Sequence, residues 1–113
     1  MIEEIIKDYL KTRLDVRVLL EYPDSNANEE RFVVIEKTGS NEANGVKSAT
    51  IAIKSVADSL YKAAVLNKQV KGAMREIVTL DEVSGVSVNS DYNYTDTQTK
   101  QYRYQAVFSV SHY

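Results

Sequence analysis

Two stretches, Val86-Ser-Val-Asn-Ser-Asp-Tyr-Asn-Tyr94 and Tyr102-Arg-Tyr-Gln-Ala-Val-Phe-Ser-Val110, decide the fold. In the second, aromatic or apolar residues alternate with mostly polar ones, and in the first Val86, Val88, Ser90, Tyr92 and Tyr94 keep the same phase. That period of two is the signature of strands with one buried face. Setting Tyr94 opposite Tyr102 brings Tyr92 to Tyr104, Ser90 to Ala106, Val88 to Phe108 and Val86 to Val110, so that size matches size across the pair. An antiparallel hairpin in that register is expected. Its link, residues 95–101, contains neither Gly nor Pro. It reads as a protruding, mobile arm and not as a tight turn.

Upstream of this hairpin, Ser55 to Ile77 carries a helical stripe: Leu60, Ala63, Ala64, Val70, Ala73, Met74 and Ile77. Ser55 with Asp58 three residues on resembles a capping box that would start this helix. Gly72 costs such a helix about 1 kcal/mol relative to Ala, and beside Ala73 it suggests close approach of another backbone. Immediately before the helix, Val46 to Lys54 alternates as a strand, and Arg31 to Lys37 is another, apolar on both faces and therefore interior. Residues 38–45, with Gly39 and Gly45, read as a polar loop between them. Val16 to Leu20 is a further strand, followed by turn chemistry at 22–26 that includes the only proline. At the N-terminus Ile2, Ile5, Ile6, Tyr9, Leu10 and Leu14 make one apolar stripe of an amphipathic helix. The order α-β-β-β-α-β-β, with short links, implies an α+β fold: a mainly antiparallel sheet of about five strands with two helices packed on it.

At 113 residues the chain is one domain, spanning 1–113. With 43% apolar and 27% charged residues it has the composition of a folded globular protein. It has no cysteine and one histidine, His112. That excludes disulfides, thiolate metal sites and Cys nucleophiles, and leaves no His pair for acid–base work. Acidic residues among the first apolar ones are unlike a secretory leader, and no apolar run approaches a membrane span, so a cytoplasmic origin is expected.

The net charge of −2 is unevenly divided: 0 over residues 1–20, −4 over 21–45, +5 over 46–75, −5 over 76–96 and +2 over 97–113. Such alternation suits solvated faces, and equally a subunit whose positive flank meets a neighbour's negative one. The acidic balance argues against a dedicated nucleic-acid binder.

Sites for chemistry are sparse. Gly39 and Gly45 do not form a phosphate loop. Adjacent Asp81 and Glu82 point apart, as solvated turn residues do. Asn89, Asp91, Asn93 and Asp96 lack calcium-loop spacing. His112 continues the inward phase of the last strand and reads as an edge or interface residue. Five of the eight tyrosines fall in the last 22 residues, which serves a cross-strand ladder or an interface. No catalytic residue, cofactor or metal is expected.

The segments Arg31-Phe-Val-Val-Ile-Glu-Lys-Thr-Gly39, Ala49-Thr-Ile-Ala-Ile-Lys-Ser55 and Ser59-Leu-Tyr-Lys-Ala-Ala64 resemble small head–tail joining proteins of siphophages. So does Asn89-Ser-Asp-Tyr-Asn-Tyr-Thr-Asp96 through Tyr102-Arg-Tyr-Gln-Ala-Val-Phe108. Over roughly residues 16–113 the chain looks most like the tail terminator (tail completion) group of Gram-positive phages and prophages. The resemblance implies a non-enzymatic subunit of a ring, commonly hexameric, that ends tail-tube polymerisation and offers its other face to the head connector. DNA would meet it only by passing through the ring lumen, and the protein would reside in the virion neck after assembly in the host cytoplasm. Head-closure or tube-related subunits, and a small bacterial protein-binding module using a tyrosine-rich sheet face, are the alternatives. On the leading reading, partner contacts are expected at Asn41 and Asn44 in one loop and Asp96, Gln98 and Lys100 in the other. Lys62, Lys68, Lys71 and Arg75 on the basic flank, and Tyr113, complete the expected set.

Overall fold

The computed structural model describes residues 1–22, 31–98 and 101–113. Two helices, α1 (Ile2–Arg13) and α2 (Leu60–Arg75), cover one face of a five-stranded sheet made of β1 (Arg17–Leu19), β2 (Phe32–Ala43), β3 (Val46–Ala57), β4 (Val83–Asn93) and β5 (Tyr102–His112). The strand order is β1-β2-β3-β5-β4. This is the expected α+β architecture, with one parallel pair, β1 with β2, in an otherwise antiparallel sheet.

The core lies between the helices and the sheet. α1 contributes Ile2, Ile6, Tyr9 and Leu10, and α2 contributes Leu66, Val70 and Met74. Val33, Ile35, Ile51, Ile53, Ala106, Phe108 and Val110 face them from the strands. The Tyr9 hydroxyl donates to the Ala73 carbonyl at 2.6 Å, tying α1 to α2. The α2 stripe differs from expectation at two points. Leu60 is exposed, whereas Leu66 and Asn67 are buried. The start of α2 is also later than expected. β3 continues to Ala57 and buries Ser55, so the cap is Ser59, whose Oγ accepts the Lys62 N–H at 3.1 Å.

Residues 38–45 are not a loop. β2 runs on through them to Ala43, and a two-residue turn at Asn44-Gly45, with φ of 54° and 78°, leads straight into β3. Two successive left-handed residues are what a tight antiparallel hairpin demands, and Asn-Gly is the pair that adopts them most readily. A bulge at Thr38 shifts the register, and beyond it both strands are largely exposed. The hairpin therefore extends past the helices, and the molecule measures 44 × 25 × 23 Å.

The C-terminal hairpin keeps its expected register for only half its length. Val86 pairs with Val110 and Val88 with Phe108, but a bulge at Asn89 then advances β4 by one residue. Ser90 faces Val107, Asp91 faces Ala106, Tyr92 faces Gln105 and Asn93 faces Tyr104. Because side chains alternate, a one-residue slip moves each to the other face. Asp91 turns toward α2 and meets Lys71 Nζ, while Tyr92 turns to the face without helices.

Candidate functional site

Three surfaces gather the residues with something to offer a partner. The first is the helix-free side of the sheet. The pairings lay out one row across all five strands, Leu19, Val34, Lys54, Gln105 and Tyr92. A second row beside it holds Arg17, Phe32, Val56 and Arg103, with the Tyr94 N–H bonded to the Arg103 carbonyl. Phe32, Val34 and Val56 form a small buried cluster at the β1 side. The β4–β5 side carries aromatic rings and cations instead.

There the Arg103 guanidinium lies 4.6 Å from the Tyr94 ring centre and 6.0 Å from that of Tyr22. Its Nε donates to the Tyr94 carbonyl at 2.7 Å, and Nη1 donates to Gln101 Oε1 at 2.8 Å. The Lys54 ammonium sits 5.2 Å from Tyr22 and 5.9 Å from Tyr94, and donates to Glu36 Oε2 at 2.9 Å. Burial works against its charge, but the Glu36 hydrogen bond and the tyrosine oxygens outweigh it and raise its pKa. Gln105 Nε2 donates to the Tyr92 hydroxyl at 2.6 Å. Tyr92 and Tyr94 meet edge to face at 6.1 Å. Two cations are thus held against aromatic faces. Sequence reasoning missed Lys54, Arg103 and Tyr22 as one group. The signal was there in the charges that stand in the polar phase of β3 and β5, but only the register brings them together.

The second candidate surface is divided between the two hairpin ends. β3 begins where β5 ends, at Lys47 opposite His112, and ends where β5 begins, at Ala57 opposite Tyr102. The Asn44-Gly45 turn and the bridge between Asp96 and Gln101 therefore stand at opposite ends of the sheet. Asn41 and Asn44 are exposed at one end. Asp96 and Gln98 lie at the other, where Asp96 Oδ1 accepts the Gln98 N–H at 3.0 Å and Asp96 bridges to Gln101. The expected arm is thus closed by strand-like pairing as far as that bridge. Lys100 lies outside the described residues, as does the expected turn from residue 23 on. A hollow of about 490 Å³ opens beside the first hairpin, lined by Glu3, Lys37, Asn41, Glu42, Lys47 and His112.

The third surface is the outer side of α2. Lys62 pairs with Asp58, and Lys71 with Asp91. Lys68 and Arg75 have no ion-pair partner among the described residues. Gly72 faces open space, with nothing within 4 Å of where a Cβ would stand, so it serves no close backbone approach. Tyr113 is exposed and its N–H donates to the Glu82 carbonyl at 3.1 Å. The expected contact residues that are described are therefore spread over separate surfaces and not gathered in one.

Among the described residues no three His, Asp or Glu side chains converge as metal ligands, and no helix is long and apolar enough to cross a membrane. No protein-family model and no curated protein sequence matches this chain.

Proposed function

We propose that this protein is a non-enzymatic assembly subunit of a tailed phage or prophage. It forms a ring at the head-proximal end of the tail tube, ends tube polymerisation and joins tail to head. The observation that carries this reading is the two-ended sheet: hairpin ends at opposite poles of the β3–β5 ladder suit a subunit with two separated contact regions. A molecule that stops one polymer and receives another structure needs such separation. The sequence resemblance over residues 16–113 supplies the phage context. The groups whose pKa is raised, Tyr9, Arg13 and Lys54, each take part in contacts that hold elements together, which suits a structural protein.

The aromatic and cationic cluster around Tyr94 favours a second reading, a protein-binding module of a bacterial cell that uses this sheet face. One experiment separates the two. Purified chain is mixed with assembled tail tubes and imaged in negative stain. Density at one tube end supports the ring subunit, and bare ends at saturating protein contradict it.

A further inference from the structure

We infer that copies of this chain join head to tail, a basic apolar patch on the first half of α2 of one copy meeting an acidic apolar patch beyond the end of α2 on the next. The contact rests on the ring reading and names the surface that would build it. Tyr61, Val65 and Lys68 recur at i, i+4 and i+7 on the outer side of α2, so they share one exposed stripe. Tyr61 is 78% exposed, and Leu60 beside it is 41% exposed. A large tyrosine left in water at the start of a helix gains nothing for the fold. Lys68 continues the patch, and the helix N-terminus adds partial positive charge. Lys62 adjoins it, already paired with Asp58.

The other patch lies beyond the C-terminal end of the helix, which at 16 residues is about 24 Å long. Val78, 46% exposed, is followed by the exposed turn residues Asp81 and Glu82, and Tyr113 is held beside them by its bond to the Glu82 carbonyl. Neither carboxylate has an ion-pair partner among the described residues. Each patch thus combines exposed apolar area with charge, and the charges are opposite. Two patches of unlike sign on one molecule are complementary between copies and cannot close within one. Such a contact is heterologous, and repeating it generates a ring when the rotation closes. A patch of one sign only would instead have called for a different partner.

The test uses the intact chain, with one half isotopically labelled. Zero-length carbodiimide coupling is expected to join Lys68 of one copy to Asp81 or Glu82 of another. Sedimentation velocity then compares wild type with Lys68→Glu, Glu82→Lys and the double swap. Each single reversal is expected to weaken self-association by about tenfold or more, about 1.4 kcal/mol, and the swap to restore much of it. Both positions are exposed, and unchanged thermal unfolding of the variants will show that they fold. Wild type that stays monomeric up to about 1 mM, the weak limit of specific association, overturns the contact. So does self-association that ignores the reversals. Tube capping by the reversed variants would overturn the contact while leaving the ring reading standing. Self-association through these patches without any tube capping would do the opposite.

Discussion

Lys71 Nζ on α2 is bonded to Asp91 Oδ2 on β4, twenty residues later in the chain. The pair exists because the bulge at Asn89 turns Asp91 toward the helices. It anchors the outer half of a strand that stands at the edge of the sheet among the described residues. Both side chains keep roughly a quarter to a third of their exposure, 25% and 32%, so solvent screens the attraction. A double-mutant cycle with Lys71→Met and Asp91→Asn is expected to give a coupling of about 0.5–1 kcal/mol. It should shrink at high salt in chemical unfolding.

Gly45 sits at φ 78° with open space around it. A side chain there meets no neighbour, so any cost comes from the left-handed backbone alone. Gly45→Ala is expected to lower stability by about 1 kcal/mol. Hydrogen exchange should locate the loss in residues 39–50 and leave the β4–β5 ladder protected.

Gly72 is the opposite case. It lies inside α2, needs no special φ, and nothing stands within 4 Å of an added Cβ. Gly72→Ala is expected to raise stability by about 0.5–1 kcal/mol by restricting the unfolded chain and favouring helix. An unchanged or lower midpoint in urea would show that this surface is constrained in some other way.

Tyr9 gives a pH dependence with a defined sign. Burial chiefly raises its pKa above the ordinary 10.0, with Arg13 opposing and Glu76 reinforcing. Above pH 10.0 the unfolded chain releases this proton while the folded chain retains it, so the folded state binds more protons. The contribution is therefore complete below that pH and lost as pH rises through the folded value. Lys54, also raised, acts in the same direction above its ordinary 10.5. Stability is expected to fall in alkali, and Tyr9→Phe to flatten the fall. At neutral pH that variant loses about 1 kcal/mol with the bond to the Ala73 carbonyl.

The class of fold was legible in the sequence because its signals were repeated. The alternation in β3 and β5 and the stripe of α1 each involve many residues, and burial on one face leaves little freedom. The hairpin at Asn44-Gly45 was missed, because the polar run around that dipeptide reads as a loop. Exposed strands need no apolar alternation, because pairing alone holds them. The bulge at Asn89 was not legible. Tyr92 and Tyr94 suit either face, and the choice follows from Lys71 waiting on α2 and from Lys54 and Arg103 on the other side. The parallel β1–β2 pair was hidden for a similar reason, since three residues carry too little pattern to fix a direction. Of the candidate contacts, charge type was legible along α2. Which lysines are committed within the chain was not, because Asp58 and Asp91 become partners only once the fold is formed.

Whether this protein ends tube growth is read most directly from the lengths of tubes assembled from tail-tube protein in its presence. Tubes are expected to shorten as the ratio of this chain to tube protein rises, each with a ring at one end only. Tubes of unchanged length with no ring, at a stoichiometric excess of folded chain, would rule out a terminating subunit.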